Sequence, residues 1–115
     1  MNNKIWKNNN TLLKENLGQD YSHVPEVKSL DYREPVRRSG SLLPGITYMK
    51  QFVKALENTG YDKFKIRSSR CPISEADLKD SWIDLQRHGW DWSRDWDTSL
   101  KGFNEVYIFN KRIQN

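Results

Sequence analysis

The chain contains little that would staple or anchor a small protein from outside. A single cysteine, Cys71, in 115 residues excludes an internal disulfide framework and leaves too few thiols for a zinc knuckle. No apolar run approaches the roughly 18 residues that a membrane-spanning helix needs. The opening Met1-Asn2-Asn3-Lys4-Ile5-Trp6-Lys7 has no apolar stretch of the secretory kind, so a cytoplasmic location and no membrane partner are expected. Alanine occurs only at 55 and 76, beside many asparagines and lysines. This is a composition that an AT-rich phage, viral or bacterial gene encodes. Neither sign of charge dominates: 19 Lys+Arg face 15 Asp+Glu, a formal +4, which permits phosphate-bearing partners without requiring them.

With no staples, stability must come from a core, and the apolar residues divide the chain in two. Residues 1–43 hold one short helical pattern, Thr11–Leu17, between a candidate N-cap at Asn10 and a stop at Gly18. From Tyr21 onward, prolines at 25, 35 and 44 interrupt apolar side chains that keep no period. An extended arm is expected there, lying along its own protein or along a partner. After Pro44 the pattern sharpens. Ile46, Met49, Phe52, Val53 and Leu56 recur at three- and four-residue steps before Gly60, the stripe of an amphipathic helix with a glycine stop. Tyr61–Arg67 alternates, with Phe64 and Ile66 on one face and Lys63, Lys65 and Arg67 on the other, which predicts a half-buried strand with a basic outer face.

Ser74 with Asp77 three residues on, flanked by Ile73 and Leu78, approximates a capping box with a hydrophobic staple. One helix is expected from there to Gly89, burying Leu78, Trp82 and Leu85. Phe103–Phe109 is apolar on both faces for part of its length and reads as a central or well-covered strand. The expected fold is a single small α+β domain, residues 44–115, with a helix–strand–helix–strand core behind the arm of residues 1–43. Two strands are few for independent stability, so a third is expected from the arm or from another subunit.

The most unusual local feature is Trp90-Asp91-Trp92-Ser93-Arg94-Asp95-Trp96-Asp97, read as a polar loop with three tryptophans. As a calcium loop starting at Asp95 it fails, because Leu100 stands where the turn glycine belongs and Val106 where the last glutamate belongs. Tryptophan supplies large contact area at low entropic cost, so either Trp90 and Trp96 fold back to cap the core beside Trp82, with the aspartates solvated, or Trp90, Trp92 and Trp96 form a recognition surface for a protein partner, with Arg37 and Arg38 on the arm. A second reading uses Lys63, Lys65, Arg67 and Arg70 on nucleic-acid phosphates at the start of the following helix, with Arg37 and Arg38 as a further contact. No glycine-rich phosphate loop, ribonucleoprotein aromatic motif or helix-turn-helix spacing accompanies it.

Catalytic arrangements are thin. Cys71, near a helix start and beside Arg70, is placed for a lowered pKa, but His88 stands at the far end of the same expected helix, about 20 Å away at 1.5 Å per residue. Asp77, Asp80 and Asp84 share neighbouring helix faces and read as a solvated acidic surface. The sequence therefore points to a non-enzymatic interaction protein without metal or cofactor, binding a protein or a second copy of itself, with nucleic-acid binding as the alternative.

Overall fold

The computed structural model describes residues 18–33 and 45–112; the helix expected at Thr11–Leu17 lies outside them. The described residues form a mixed α+β unit, in the order α1 (Met49–Asn58), β1 (Lys63–Arg67), a 3₁₀ turn (Ser68–Arg70), α2 (Glu75–Asp80), α3 (Trp82–Arg87), β2 (Trp90–Trp96) and β3 (Glu105–Lys111). The expected helix–strand–helix–strand order therefore gains a strand and splits a helix.

The third strand comes from neither the arm nor a partner: it is the Trp/Asp segment itself. β2 pairs antiparallel with β3, Trp92 opposite Phe109 and Arg94 opposite Tyr107. β1 pairs antiparallel with β3 on its other side, giving the order β1-β3-β2. The central strand is the one whose sequence is apolar on both faces. Because side chains alternate along a strand, register places Phe64, Ile66, Trp90, Trp92, Tyr107 and Phe109 on one face. Lys63, Lys65, Arg67, Asp91, Ser93, Asp95, Val106 and Ile108 share the other.

The first face meets the helices. α1 buries Phe52, Val53, Ala55 and Leu56 as its periodicity requires. The rings of Tyr32, Phe52, Phe109, Phe64 and Trp90 follow one another at centroid distances of 5.3, 5.9, 5.5 and 6.2 Å. Ser74 caps α2 as expected, its Oγ accepting the Asp77 N–H at 3.2 Å, and Ile73 and Leu78 are both buried. The expected single helix breaks at Ser81. Its buried hydroxyl accepts the Ile46 N–H at 2.6 Å, a side-chain bond of the kind by which serine competes with helix continuation. Leu78 and Leu85 stay in the core across the break, but Trp82 turns outward and is 51% exposed, contrary to its expected place in the buried stripe. Gly89, at φ +88°, turns the chain from α3 into β2 in a conformation that favours glycine.

The second face is covered by the arm. The Gln19 N–H donates to the Trp96 carbonyl at 3.0 Å, and the Thr98 N–H donates to the Gln19 carbonyl at 2.8 Å. After a turn closed by Val24 N–H to the Tyr21 carbonyl, the arm reaches the outer edge of β1. There the Lys65 N–H donates to the Pro25 carbonyl and the Val27 N–H to the Lys65 carbonyl. Crossing from one edge to the other, it covers a face on which Val106 and Ile108 are buried, with Val24 buried as well. It then rounds the β1 edge, and Leu30 and Tyr32 join the helix-side core. Gly18 fixes the start of this path. At φ +81°, a Cβ added there would stand 2.1 Å from the Trp96 carbonyl oxygen. No helix among the described residues is long and apolar enough to cross a membrane.

Candidate functional site

The basic outer face expected of β1 is largely an internal structure. Lys65 is 4% exposed. Its ammonium lies 2.5 Å from Oδ2 of Asp97, which is itself 0% exposed, and 2.8 Å from the Tyr21 carbonyl. Asp97 also accepts the Tyr21 N–H at 3.0 Å and both the N–H and the hydroxyl of Ser99, at 2.9 and 2.6 Å. Burial pushes the Asp97 carboxyl up, but the Lys65 ammonium and the Ser99 and Tyr21 donors outweigh it, and the pKa settles at about 2. Beside this pair the Tyr21 hydroxyl donates to Asp95. Burial first, and then the Asp95 carboxylate, push the tyrosine up to about 12.

Arg67 is likewise engaged. Its guanidinium donates to the Phe103 carbonyl at 2.9 Å and lies 3.5 Å from Glu26. Of the four expected phosphate contacts, only Lys63 and Arg70 are exposed. Lys63 shares a sheet face with Lys65 and Arg67, but with Lys65 buried and Arg67 engaged the three do not present one exposed basic surface. The helix start proposed to hold an anion is occupied by the Ser74 cap, and α2 has only six residues. Cys71 packs against the core, and burial pushes its thiol up to about 11 rather than down.

The tryptophans divide similarly. Trp90 is 1% exposed and belongs to the core, so it is not an outward recognition residue. Trp96 is half-buried, packed edge-on to Phe103 and beneath the Arg94 guanidinium. Trp92 is half-buried at the sheet margin, edge-on to Tyr107. The aspartates between them are not simply solvated: Asp91 accepts from Gln86 Nε2 at 2.9 Å and pairs with Arg112 at 3.5 Å, while Asp95 and Asp97 bind Tyr21. Among the described residues no group of His, Cys, Asp and Glu is placed to hold a metal ion. Arg37 and Arg38 lie outside the described residues.

What these placements leave open is the outer edge of β2. The Asp97 N–H donates inward to Asn104, so in an antiparallel ladder the even-numbered residues of β2 point their backbone groups outward. One end of this edge is closed: Gln19 takes the Trp96 carbonyl and Asp95 accepts the Trp96 N–H at 2.8 Å. Beyond it the outward N–H and C=O of Trp92 and Arg94 have no hydrogen-bond partner among the described residues.

A pocket opens on each side of this window. On the helix side, a volume of about 340 Å³ is lined by Glu75, Lys79, Trp82, Trp92, Ser93 and Arg94. On the arm side, a volume of about 360 Å³ lies over the sheet face, between Gln19 and Tyr21 of the arm and residues of all three strands, Lys63 of β1, Ile108 and Asn110 of β3, and Asp91, Trp92 and Ser93 of β2. Sequence reasoning missed Trp82 because its helical spacing assigned it to the core. It missed Lys79 because an isolated lysine on a helix carries no signal. Of the three expected partner-binding tryptophans, Trp92 is the one that lines these pockets. No protein-family model, curated protein or solved structure matches the chain.

Proposed function

We propose that this protein is a non-enzymatic binding module that captures a protein partner at the outer edge of β2, between Trp82 of α3 and Trp92 of the strand. The observation that carries this reading is the half-exposed Trp82 standing in a pocket beside two residues whose outward backbone groups have no partner among the described residues. A large aromatic side chain next to unsatisfied main-chain donors and acceptors combines two features that protein recognition uses. Ile83, 65% exposed on the same helix, extends the apolar surface at its side. With Lys65 and Arg67 committed to Asp97, Glu26 and main-chain carbonyls, little of the basic strand face is left to track a phosphate backbone.

The test is selection of a random peptide library on the immobilised chain, with each selected peptide re-measured on Trp82→Ala and, at low salt, against single-stranded and duplex DNA and RNA. Peptides that bind the wild type and lose tenfold or more on Trp82→Ala support the reading. An absence of Trp82-dependent peptides, together with salt-sensitive nucleic-acid binding lost on Lys63→Glu/Arg70→Glu, would replace it with the nucleic-acid reading.

A further inference from the structure

We infer that the arm-side pocket binds a neutral, polyhydroxylated ligand, a mono- or disaccharide, over the first cross-strand row of the sheet. This site is separate from the β2 edge. On the face that the arm covers, register sets the side chains of three strands in rows: Lys63, Asn110 and Asp91 in the first, Lys65, Ile108 and Ser93 in the second, Arg67, Val106 and Asp95 in the third. The arm starts beside Trp96 at Gln19 and meets β1 at Lys65. It crosses over Val106 and Ile108, and Lys63 and Asn110 of the first row stay exposed. The space of about 360 Å³ beside it falls in the range of small-ligand sites, roughly 300–1,000 Å³.

The wall that the arm contributes is fixed. Tyr21 donates its N–H to Asp97 at 3.0 Å and its hydroxyl to Asp95, and its carbonyl accepts from the Lys65 ammonium at 2.8 Å. Three bonds at one residue leave little of the wall to be ordered by a ligand, which is how a preformed site gains affinity. The buried Ile108 supplies an aliphatic base, and with Tyr21 it gives the C–H surface of a sugar ring an apolar lining.

The polar lining decides the chemistry. The side chains of Gln19, Lys63, Ser93 and Asn110 border this space and make no hydrogen bond or ion pair among the described residues. Lys63 is a donor only and the Asp91 carboxylate an acceptor only, whereas the two amides and the serine hydroxyl do both. A sugar hydroxyl also donates and accepts, so a ring that carries several can use every one of these groups. Lys63 and Asp91 stand at opposite ends of one row, two strand spacings or about 10 Å apart along the sheet, and their charges balance across the pocket. Asp91 is further shared with Arg112 and Gln86. A carboxylate or phosphate would gain from Lys63 and lose to Asp91, and an amine the reverse. A neutral ligand meets neither penalty.

The experiment titrates the isotopically labelled full chain with glucose, galactose, mannose, N-acetylglucosamine, maltose and lactose and follows the backbone amide resonances. At least one sugar is expected to bind with a dissociation constant of millimolar order, moving the amides of Gln19, Ser93, Ile108 and Asn110. Ser93→Val, Asn110→Leu and Lys63→Met, all at exposed strand positions, should each weaken it about three- to tenfold. Asn110→Asp, which keeps the shape and loses the donors, repeats the test without a change in bulk. A site that bonds a hydroxyl rejects the analogue lacking it, so one deoxy derivative of the bound sugar should bind at least about tenfold more weakly. Trp82→Ala should bind the sugar as the wild type does.

Silence of every sugar with a folded chain would overturn the proposal. So would shifts that the pocket variants leave unchanged, or the same shifts produced equally by glycerol. If sodium phosphate moves these amides through Lys63 and no sugar does, the pocket is an anion site and the proposal falls. Nuclear Overhauser contacts from Ile108 to residues before Gly18 in the sugar-free chain would show that the chain fills the space itself, with the same consequence. Each of these results leaves the β2 edge to its own test, since that reading stands or falls on Trp82-dependent peptides.

Discussion

Removing one partner of the Lys65–Asp97 pair should cost more than any surface change in the protein. Lys65→Met keeps the length and most of the volume of the side chain but deletes the ammonium that lies 2.5 Å from a fully buried carboxylate. Asp97 then keeps three neutral donors, from Tyr21 and Ser99, and no cation. Asp97→Asn leaves the Lys65 ammonium buried with the Tyr21 carbonyl as its remaining acceptor. Breaking a buried pair from one side typically costs about 3–5 kcal/mol. At roughly 0.05–0.15 kcal/mol per residue, a chain of 115 residues has about 6–17 kcal/mol of stability, of which this loss takes from about a sixth to most. In thermal unfolding it corresponds to roughly 12–20 °C.

The double variant Lys65→Met/Asp97→Asn removes both charges, so it should cost little more than either single change, with a coupling of about 2 kcal/mol or more. Urea titrations followed by tryptophan fluorescence on the four proteins of the cycle measure this. Because both groups bind the arm through Tyr21, the single variants should also open Lys28 and Arg33 to trypsin under native conditions. Single costs below about 1 kcal/mol that add in the double would show that the pair behaves as an exposed one and would refute the account.

Other outcomes follow from single positions. Trp90→Ala should lose about 3–5 kcal/mol, because it empties a core site packed against Phe64. Trp82→Ala, at a half-exposed position, should change stability by less than about 1 kcal/mol while losing peptide binding; equal unfolding midpoints for the two variants would contradict the split between core and surface tryptophan. Gly18→Ala meets both a positive φ and the Trp96 carbonyl and should destabilise by at least about 1 kcal/mol, read by urea midpoint. With its thiol near 11, Cys71 should react with a thiol reagent at pH 8 about a hundredfold more slowly than a free cysteine peptide, and comparable rates would show that it is not shielded.

Periodicity made α1 legible, alternation found β1, and the Ser74 cap marked the start of α2, because each is a local signal written in adjacent residues. The double-sided apolar run correctly marked β3 as covered. Three features were not legible for a common reason, which is that each depends on a partner distant in sequence. Lys65 reads as a solvent-facing strand lysine until Asp97, 32 residues away, supplies its counter-charge. Trp82 reads as core until Ser81 bonds to Ile46 across 35 residues and turns the helix. Trp90–Trp96 reads as a polar loop because its aspartates break the apolar pattern of a strand, yet Tyr21, Gln86, Arg112 and Lys65 meet those aspartates one by one. The arm looked coreless because Val24, Leu30 and Tyr32 are irregularly spaced. They bury themselves by crossing one sheet face and then rounding an edge, a path that has no period.

That path couples the arm, the buried pair and the open edge, and acid should separate them. The folded pKa of Asp97, about 2, lies below its ordinary 3.8. The pair's stabilisation, of order 2 kcal/mol from that difference, is therefore complete well above pH 4 and disappears as the pH falls toward 2. Protonated Asp97 no longer balances Lys65, and the groups that hold Tyr21 weaken together. The helix-side core has no comparable buried ion pair among the described residues, so the arm should detach before the helices and sheet unfold. Its departure uncovers Val106 and Ile108 and removes Gln19 from the Trp96 carbonyl, which lengthens the unpaired edge of β2. An acid titration should then show a rise in fluorescence of a hydrophobic-surface dye, and association of the chain, at a pH where far-ultraviolet circular dichroism is still native-like. Asp97→Asn should show the same dye binding near neutral pH. If dye binding and loss of helical signal coincide at every pH in the wild type, the arm and the core form one cooperative unit, and the edge is never lengthened in a folded molecule.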